Sequence, residues 1–270
     1  MQVIVITGAS DGIGAELARQ LSRAHGADAA LVLAARNQSK LDEVARQCRE
    51  LGAKAESVMT DVAQEAQCRA LIDKAMQMFG RIDALVNNAG MSAQALFSDV
   101  RAQDLHWYED LMRVNFWGSV WCTHAALPHL KASRGSIVAV SSLAGMVGVP
   151  GRTAYSATKF AISGFFEALR TELKPAGVGV TVAYPGVVAT EIRHRGYNAR
   201  GEPAGKSGLK EDNAMSVEEC ARLIIDGMNH RKREVVMTSR GKLGRFMKLI
   251  APGIVENMAL AALKDEVKPH

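Results

Sequence analysis

Three residues in the middle of the chain have the types and spacing needed for proton transfer. Tyr155 and Lys159 lie four residues apart, and Ser142 precedes the tyrosine by thirteen residues. On a helix, a four-residue separation places two side chains on the same face, so the Lys159 ammonium can lie beside the Tyr155 phenol. A nearby cation favours the phenolate and lowers the phenol pKa from its ordinary value of about 10.

A phenol with a lowered pKa can exchange a proton with a substrate near neutral pH. Tyr155 could protonate the oxygen of a carbonyl that is being reduced, or deprotonate an alcohol that is being oxidised. We expect the Ser142 hydroxyl to hold the same substrate oxygen by a hydrogen bond. The spacing of Tyr155 and Lys159 also occurs in ordinary exposed helix pairs, so on its own it is weak evidence for catalysis.

A glycine-rich turn near the amino terminus supplies independent evidence. Gly8, Gly12 and Gly14 follow an apolar segment and open a helical pattern. Glycines at such a turn allow a tight bend, close approach of backbone to a pyrophosphate, and close packing of the helix whose amino terminus faces the phosphates. The spacing Gly-x-x-x-Gly-x-Gly differs from the commonest dinucleotide fingerprint. Its place between a strand pattern and a helix pattern nevertheless predicts nucleotide binding.

Short apolar runs alternate with amphipathic segments of helix length along the chain. The runs predict strands at 3–7, 30–35, 55–60, 84–87, 136–141, 178–184 and 234–237, and the segments predict helices at 12–24, 39–51, 65–79, 105–130, 155–174 and 217–229. This alternation is typical of an α/β fold of the Rossmann type, with a doubly wound parallel sheet of about seven strands and helices on both faces. The ligand crevice of such a sheet lies at the carboxyl ends of its strands, where the motifs found here are located.

Length and composition favour a single domain. A chain of 270 residues with 48% hydrophobic residues can bury a sizeable core. We expect residues 1–240 to form the dinucleotide-binding and catalytic domain and residues 241–270 to form an amphipathic tail. The first strand pattern begins at Val3, which leaves no room for a signal peptide or an amino-terminal anchor. The four scattered cysteines lack metal-ligand spacing, so we expect a cytoplasmic protein with reduced cysteines and no metal.

Together these motifs resemble those of the short-chain dehydrogenase/reductase family over nearly the whole chain. The resemblance implies a catalytic tetrad of Asn115, Ser142, Tyr155 and Lys159. It also implies that Lys159 bonds the nicotinamide ribose and that Asn115 holds a water linking Lys159 to bulk solvent. Residues that match the family's cofactor-binding segments are implied to contact the cofactor: Gly8, Ser10, Gly12, Ile13, Gly14, Asp61, Val62, Asn88, Ala89, Gly90, Tyr155, Lys159, Pro185, Gly186, Val188 and Thr190.

The end of the second predicted strand bears on the choice of cofactor. An NAD site places a carboxylate there to bind the ribose hydroxyls, whereas the 2′-phosphate of NADP needs a cation. The chain has Arg36 and Asn37 at this point and no acidic residue. Against this, Asp11 occupies the position in the glycine turn where many NADP-using relatives carry lysine or arginine. We predict NADP(H), with Arg36 as its phosphate ligand and NAD(H) as the alternative.

Positive charge is concentrated late in the chain. Residues 1–192 carry 18 basic and 18 acidic side chains, whereas residues 193–248 carry 13 basic and 7 acidic ones. This excess could meet an anionic substrate, an acidic partner or a membrane surface, or form a solvated face. The polar, glycine-rich segment at 191–215 predicts a mobile lid over the substrate. His194 within it is interpreted as solvated and not as a catalytic base.

The carboxyl-terminal tail repeats apolar residues at helical spacing. A first set lies among basic residues and a second follows Pro252; the sets are Leu243, Phe246, Met247 and Ile250, then Val255, Met258, Ala259 and Ala262. A basic amphipathic helix of this kind packs on its own domain, contacts a second subunit, or makes peripheral contact with a membrane.

Within the family, the chain is similar to the group of 11β-hydroxysteroid-dehydrogenase-like and dehydrogenase/reductase member 7-like proteins through residues 141–145 and 155–166. The resemblance implies an oxidoreductase acting on a small apolar, lipid-like or steroid-like carbonyl or secondary alcohol. Two alternatives stay open: a reductase of 3-oxoacyl groups on an acyl carrier, and a non-catalytic dinucleotide-binding sensor or scaffold. We expect a homodimer or homotetramer and no nucleic-acid partner.

Overall fold

A parallel sheet forms the centre of the molecule. The computed structural model describes residues 1–263, and within them the sheet has seven strands in the order β3-β2-β1-β4-β5-β6-β7. The strands are β1 Gln2–Thr7, β2 Ala29–Ala35, β3 Lys54–Met59, β4 Ala84–Asn87, β5 Ser136–Val140, β6 Gly179–Tyr184 and β7 Glu234–Val236. All neighbouring strands pair in parallel. The predicted α/β fold is therefore confirmed.

Helices cover both faces of this sheet. They are α1 Gly12–His25, α2 Gln38–Glu50, α3 Glu65–Phe79, α4 His106–Met112, α5 Gly118–Ser133, α6 Thr153–Leu173, α7 Val217–Asn229, α8 Ser239–Ile250 and α9 Pro252–Ala261. Because the sheet is covered on both sides, its central strands are largely continuous apolar runs, and every residue of β2 is buried, whereas the edge strand β3 alternates exposed and buried residues. Helices α1, α2 and α7 pack on one face and α3, α5 and α6 on the other.

The strand order reverses beside β1. Strands β2 and β3 extend from one side of β1, and β4 to β7 extend from the other. The loops that follow β1 and β4 therefore diverge at the carboxyl edge of the sheet and leave a crevice between them. Helix α1 begins directly after this turn because the Asp11 carboxylate caps it, accepting a hydrogen bond from the Gly12 N–H at 2.7 Å.

The segment predicted as one helix at 105–130 is interrupted. Helices α4 and α5 are joined by a π-helical turn at Arg113–Trp117, in which the Gly118 N–H donates to the Arg113 carbonyl five residues back. Such wide turns are frequent at functional sites. Asn115 lies inside this turn and is fully buried. The predicted helical segment is therefore present, but the apolar pattern gave no sign of the π-helical turn within it.

The tail forms α8 and α9, and residues 264–270 of the predicted tail lie outside the described residues. Gly244 and Val255 are buried, and the Lys248 Nζ donates to the Met146 carbonyl at 2.9 Å, so the helices pack against the chain's own domain. Leu243 and Phe246 on α8 are exposed. Within residues 1–263, no helix is long and apolar enough to cross a membrane.

Candidate active site

A cavity of about 1560 Å³ opens at the carboxyl edge of the sheet. Most of the residues predicted from the sequence line it: Gly8, Ser10, Gly12, Ile13, Arg36, Asp61, Val62, Asn88, Ala89, Gly90, Ser142, Tyr155, Lys159, Pro185, Gly186, Val188 and Thr190. Gly14 and Asn115 are not in its lining. The fold thus brings the glycine turn and the Tyr155 group, which are far apart in sequence, to one cavity.

Steric constraints at the glycine turn explain its composition. Gly8 and Gly12 have φ angles of +66° and +52°, in the region that favours glycine. A Cβ on Gly14 would lie 2.2 Å from the Gly8 carbonyl oxygen and 2.5 Å from Asn88 Nδ2. Gly14 therefore lets α1 approach the turn closely, so that the amino terminus of the helix faces the cavity.

We expect Gly14→Ala to disrupt this turn. Its methyl group would meet backbone atoms that can move only with the turn, so we expect a stability loss of about 1–3 kcal/mol and weaker binding of both NADPH and NADH. Gly164→Ala on α6 is the matched control, because no described heavy atom lies within 4 Å of the added Cβ. Thermal unfolding and calorimetric titration measure the two effects. Equal behaviour of the two variants would contradict the packing argument.

The glycine turn is fixed to the loop after β4. The Thr7 Oγ1 accepts hydrogen bonds from the backbone N–H groups of Asn88 and Ala89, each at 3.1 Å. The Asn88 Nδ2 donates to the carbonyls of Thr7 and Gly8 at 3.0 and 3.2 Å. Asn88 therefore positions the turn, and these bonds keep the two sides of the crevice at a fixed separation.

Tyr155 and Lys159 project from the first turns of α6 into the cavity. Both are buried, and the Lys159 Nζ lies 5.6 Å from the centroid of the Tyr155 ring. The Lys159 ammonium also donates to the Val140 carbonyl at 3.0 Å, which anchors it at the end of β5. Ser142 follows the same strand, and its hydroxyl accepts from the Ala144 N–H at 3.2 Å. The predicted juxtaposition of the tyrosine and the lysine is present.

The electrostatics of this group favour proton exchange. Burial raises the pKa of the Tyr155 phenol, but the charges of Lys159 and Arg152, together with the Ser142 hydroxyl and Arg193, more than offset it and hold the pKa below its ordinary value. Burial and the charge of Arg152 lower the pKa of Lys159, and Tyr155 acts in the opposite direction. The site therefore stabilises the phenolate while remaining shielded from water.

Asn115 supports the group from behind the cavity wall. Its Oδ1 accepts from the Met91 N–H at 2.7 Å, and its Nδ2 donates to the Met91 carbonyl at 3.0 Å. The same Nδ2 donates to the Thr158 Oγ1 at 2.9 Å, on the residue before Lys159. Asn115 thus connects the loop after β4 to α6, and its side-chain atoms are already engaged by protein groups.

Arg152 is a site residue that the sequence analysis missed. It lines the cavity beside the tyrosine, and its guanidinium carbon lies 4.2 Å from the centroid of the Tyr155 ring. An arginine in a loop containing proline and glycine has the pattern of a solvated residue, so the local composition did not indicate that Arg152 is buried in the site. Its position three residues before Tyr155, at the start of α6, is the one local signal that could have pointed to it.

The opposite end of the cavity contains Arg36 and Asp11. Within residues 1–263, Arg36 makes no ion pair and its side chain reaches the cavity. The Asp11 carboxylate accepts from Arg195 at 2.6 Å and lies 3.7 Å from the Lys40 ammonium. Burial raises the pKa of Asp11, but the Gly12 N–H and the two cations lower it by more, so the pKa is held below its ordinary value. Its negative charge is compensated by neighbours.

The segment at 191–215 covers the cavity and is tied down at several points. The Tyr197 N–H donates to the Ser92 carbonyl at 3.0 Å, and the Gln94 N–H donates to the Tyr197 carbonyl at 2.8 Å. Within the segment, Arg193 pairs with Glu211 at 2.6 Å. His194 is half-buried and lies 3.1 Å from a Glu191 carboxylate oxygen, and it is not part of the cavity lining. This geometry gives His194 no contact with Tyr155.

Comparisons of sequence give a consistent result. The family model described as short chain dehydrogenase matches residues 2–200. An 11-beta-hydroxysteroid dehydrogenase A from Sesamum indicum is 36% identical over 261 residues, which is 94% of this chain and 73% of the relative. An 11-beta-hydroxysteroid dehydrogenase-like 2 from Arabidopsis thaliana is 33% identical over 271 residues, covering 100% of this chain and 84% of the relative.

Two solved structures share the fold. A short chain dehydrogenase/reductase from Burkholderia phymatum in complex with NAD has a TM-score of 0.80 and 25% identity, covering 94% of each chain. An alcohol dehydrogenase from the archaeon Thermococcus sibiricus, complexed with 5-hydroxy-NADP, has a TM-score of 0.74 and 25% identity, covering 87% of this chain and 94% of that one.

Proposed function

The chain belongs to the short-chain dehydrogenase family and is an oxidoreductase of its 11β-hydroxysteroid-dehydrogenase-like group. From this premise we propose that it interconverts a carbonyl and a secondary alcohol by hydride transfer with NADP(H). The observation that carries the proposal is the convergence of Ser142, Tyr155 and Lys159 on the cavity into which the glycine turn opens.

The residues of the cavity fit a nicotinamide dinucleotide. The glycines leave space beside the amino terminus of α1 for a pyrophosphate, and the cavity extends from Arg36 to Tyr155. When bound, the nicotinamide supplies the hydride in reduction and accepts it in oxidation. In this proposal Lys159 would bond the nicotinamide ribose, and residues 185–190 would hold the carboxamide.

Side chains of the protein carry out the proton transfer in this proposal. In reduction, the Tyr155 hydroxyl donates its proton to the substrate oxygen as negative charge develops there, and the Ser142 hydroxyl donates a hydrogen bond to the same oxygen. The Lys159 ammonium stabilises the phenolate that remains. In oxidation the phenolate accepts the proton of the alcohol. The buried setting strengthens each of these interactions because little water screens them.

Two features support NADP(H) over NAD(H). Arg36 has no acidic partner within the described residues and projects from the end of β2, where a 2′-phosphate would need a cation. Asp11, which would repel a phosphate, has its charge compensated by Arg195 and Lys40. The ion pair with Arg195, 184 positions away, therefore weakens the argument from Asp11 against NADP(H).

The ion pair of Asp11 and Arg195 also joins the proposed lid at 191–215 to the glycine turn. Both side chains are substantially exposed, so we expect Arg195→Gln to change global stability by less than about 1 kcal/mol. We expect faster hydrogen exchange within 191–205, because the segment loses its contact with the turn. Arg46→Gln, which removes exposed ion pairs with Glu43 and Glu50 on α2, is the control. Unchanged exchange in the Arg195 variant would contradict the proposed role.

Apolar side chains in the cavity wall support an apolar substrate. Aliphatic and methionine side chains from the loop after β5 and from α9 line the cavity: Leu143, Met146, Val147, Val149, Val255 and Met258. These side chains offer apolar surface to a ligand and few polar groups, which favours a lipid-like or steroid-like compound. The names of the plant relatives agree with this substrate class.

Exposed aromatic side chains on neighbouring helices support a homodimer or homotetramer. Trp117 at the end of the π-helical turn and Phe160 on α6 are 45% and 39% exposed. Apolar surface of this kind is commonly covered by another subunit. A monomeric mass in sedimentation at micromolar concentration would contradict the proposal. The cytoplasmic location remains a prediction from the sequence.

Turnover assays with a panel of carbonyl compounds, the carbonyl panel, test the proposed function. We expect the protein to oxidise NADPH in the presence of steroid-like and other apolar ketones, and to reduce NADP with the matching secondary alcohols. Including 3-oxoacyl thioesters in the panel tests the acyl-carrier alternative with the same assay. Tight NADPH binding without turnover of any compound would favour the sensor instead of the enzyme.

A further inference from the structure

Arg152 is a buried cation for which the proposed chemistry has no role. Only 8% of its surface is exposed, and no carboxylate pairs with it across the described part of the chain. Its Nη2 donates to the Ser92 Oγ at 2.6 Å and its Nε to the Ala93 carbonyl at 3.3 Å. An unpaired buried charge is costly, since it gives up its hydration without a counter-ion. Its retention beside the cavity needs an explanation.

The contact that distinguishes Arg152 is with Tyr155. The guanidinium stacks on the phenol ring, with its central carbon 4.2 Å from the ring centroid. A cation over an aromatic face is attracted to the ring and restricts its motion. The Tyr155 phenol is also an acidic group, and its ionised form would provide the negative charge that this buried guanidinium lacks.

Other cations near Tyr155 do not make Arg152 redundant. Lys159, on the same helix, lies on the ring with its Nζ at 5.6 Å from the centroid, farther than the Arg152 guanidinium. Arg193 approaches from the segment at 191–215, but its charge is largely compensated by Glu211 at 2.6 Å. Arg152 and Lys159 are therefore the two cations beside the phenol that have no carboxylate partner among residues 1–263.

We propose that Arg152 is a positioning residue for the reaction and acts through Tyr155: its stacked guanidinium fixes the phenol ring and supplies a second positive charge that stabilises the phenolate. The proposal rests on the proposed function, in which Tyr155 exchanges the proton. It also links the site to the lid, because the Ser92 that binds Arg152 accepts the Tyr197 N–H through its carbonyl.

Titration of the phenol tests this role without any substrate. Ultraviolet difference spectroscopy against Tyr155→Phe isolates the ionisation of Tyr155 from that of the other tyrosines. Arg152→Met removes the charge and keeps much of the bulk, whereas Arg152→Lys keeps a charge. At a fixed pH below the midpoint, we expect the phenolate fraction to fall about tenfold in the methionine variant and much less in the lysine variant. Circular dichroism and NADPH binding establish that each variant is folded.

The outcomes separate this proposal from its alternatives. A fall in phenolate in the methionine variant, restored by lysine, supports the electrostatic role. Equal falls in both variants indicate that the arginine acts only through packing, and no change in either removes the proposal. Ser92→Ala provides a matched control, because it removes the hydrogen bond at Nη2 and leaves the charge in place. A fall in phenolate in the methionine variant, in a protein that turns over no compound of the carbonyl panel, would count against the proposed function and not against the role of Arg152.

Discussion

Tyr155→Phe is expected to lower turnover at least about a hundredfold in both directions, while changing NADPH affinity only a few-fold. The phenylalanine ring can keep its place beneath Arg152, but it has no proton to donate and no oxygen to accept one. Steady-state kinetics on any compound that the carbonyl panel identifies, with calorimetric titration of NADPH, measure the two quantities. Full turnover in this variant would exclude Tyr155 as the acid and base.

Tyr108→Phe is the matched control for this experiment. The Tyr108 hydroxyl is bonded to the Thr153 Oγ1 at 2.7 Å and does not line the cavity. It therefore reports the effect of removing a tyrosine hydroxyl near α6 without touching the reacting groups. We expect turnover close to that of the unmodified protein.

The acid and base roles of Tyr155 set the sign of the pH dependence, and its lowered pKa moves the transition below that of an ordinary phenol. Reduction needs the protonated phenol, so its rate falls as pH rises through the pKa. Oxidation needs the phenolate, so its rate rises through the same pKa. The two profiles should therefore cross, and parallel profiles would point to a different titrating group.

The second large effect concerns the cofactor. We expect Arg36→Ala to weaken NADPH binding by about 10- to 100-fold and to leave NADH binding nearly unchanged, because a charge-assisted bond to the 2′-phosphate contributes about 1.5–3 kcal/mol. Calorimetric titration with each dinucleotide measures the difference. Equal losses for both cofactors would show that Arg36 does not meet the phosphate.

Two further variants refine this test. Arg36→Lys keeps a point charge but loses the paired geometry of the guanidinium, so we expect intermediate NADPH affinity. Lys40→Ala removes a cation that faces Asp11 at 3.7 Å, and it should weaken NADPH binding less than Arg36→Ala. A preference for NADH in the unmodified protein would instead make Asp11 the residue that decides cofactor choice.

Much of the fold could be predicted because its signals are local. Strand β1 begins within one residue of its predicted start, since a buried parallel strand is a short apolar run bounded by turn residues. The glycine turn and the Tyr155 and Lys159 pair could also be located, because their geometry depends on spacing within one loop and one helix.

Contacts between distant segments had no such signal. The pairing of Asp11 with Arg195 joins residues 184 positions apart, and neither side chain differs in pattern from a solvated one. Arg152 was missed for a similar reason, because its burial depends on the loop at 92–93 folding over it. Charged residues in loops reveal their partners only when the tertiary structure is known.

The π-helical turn at Arg113–Trp117 sets the rotation of the side-chain face of α5 relative to that of α4. Each α-helical residue advances the side-chain direction by about 100°, so one extra residue rotates everything that follows relative to what precedes. Asn115 must point to the loop after β4, and Cys122, Ala126 and Leu130 must point into the core. The wide turn brings both directions into phase. Deleting one residue from it would let a regular α-helix run through with its backbone bonds made, yet would turn either Asn115 or the buried face of α5 toward solvent.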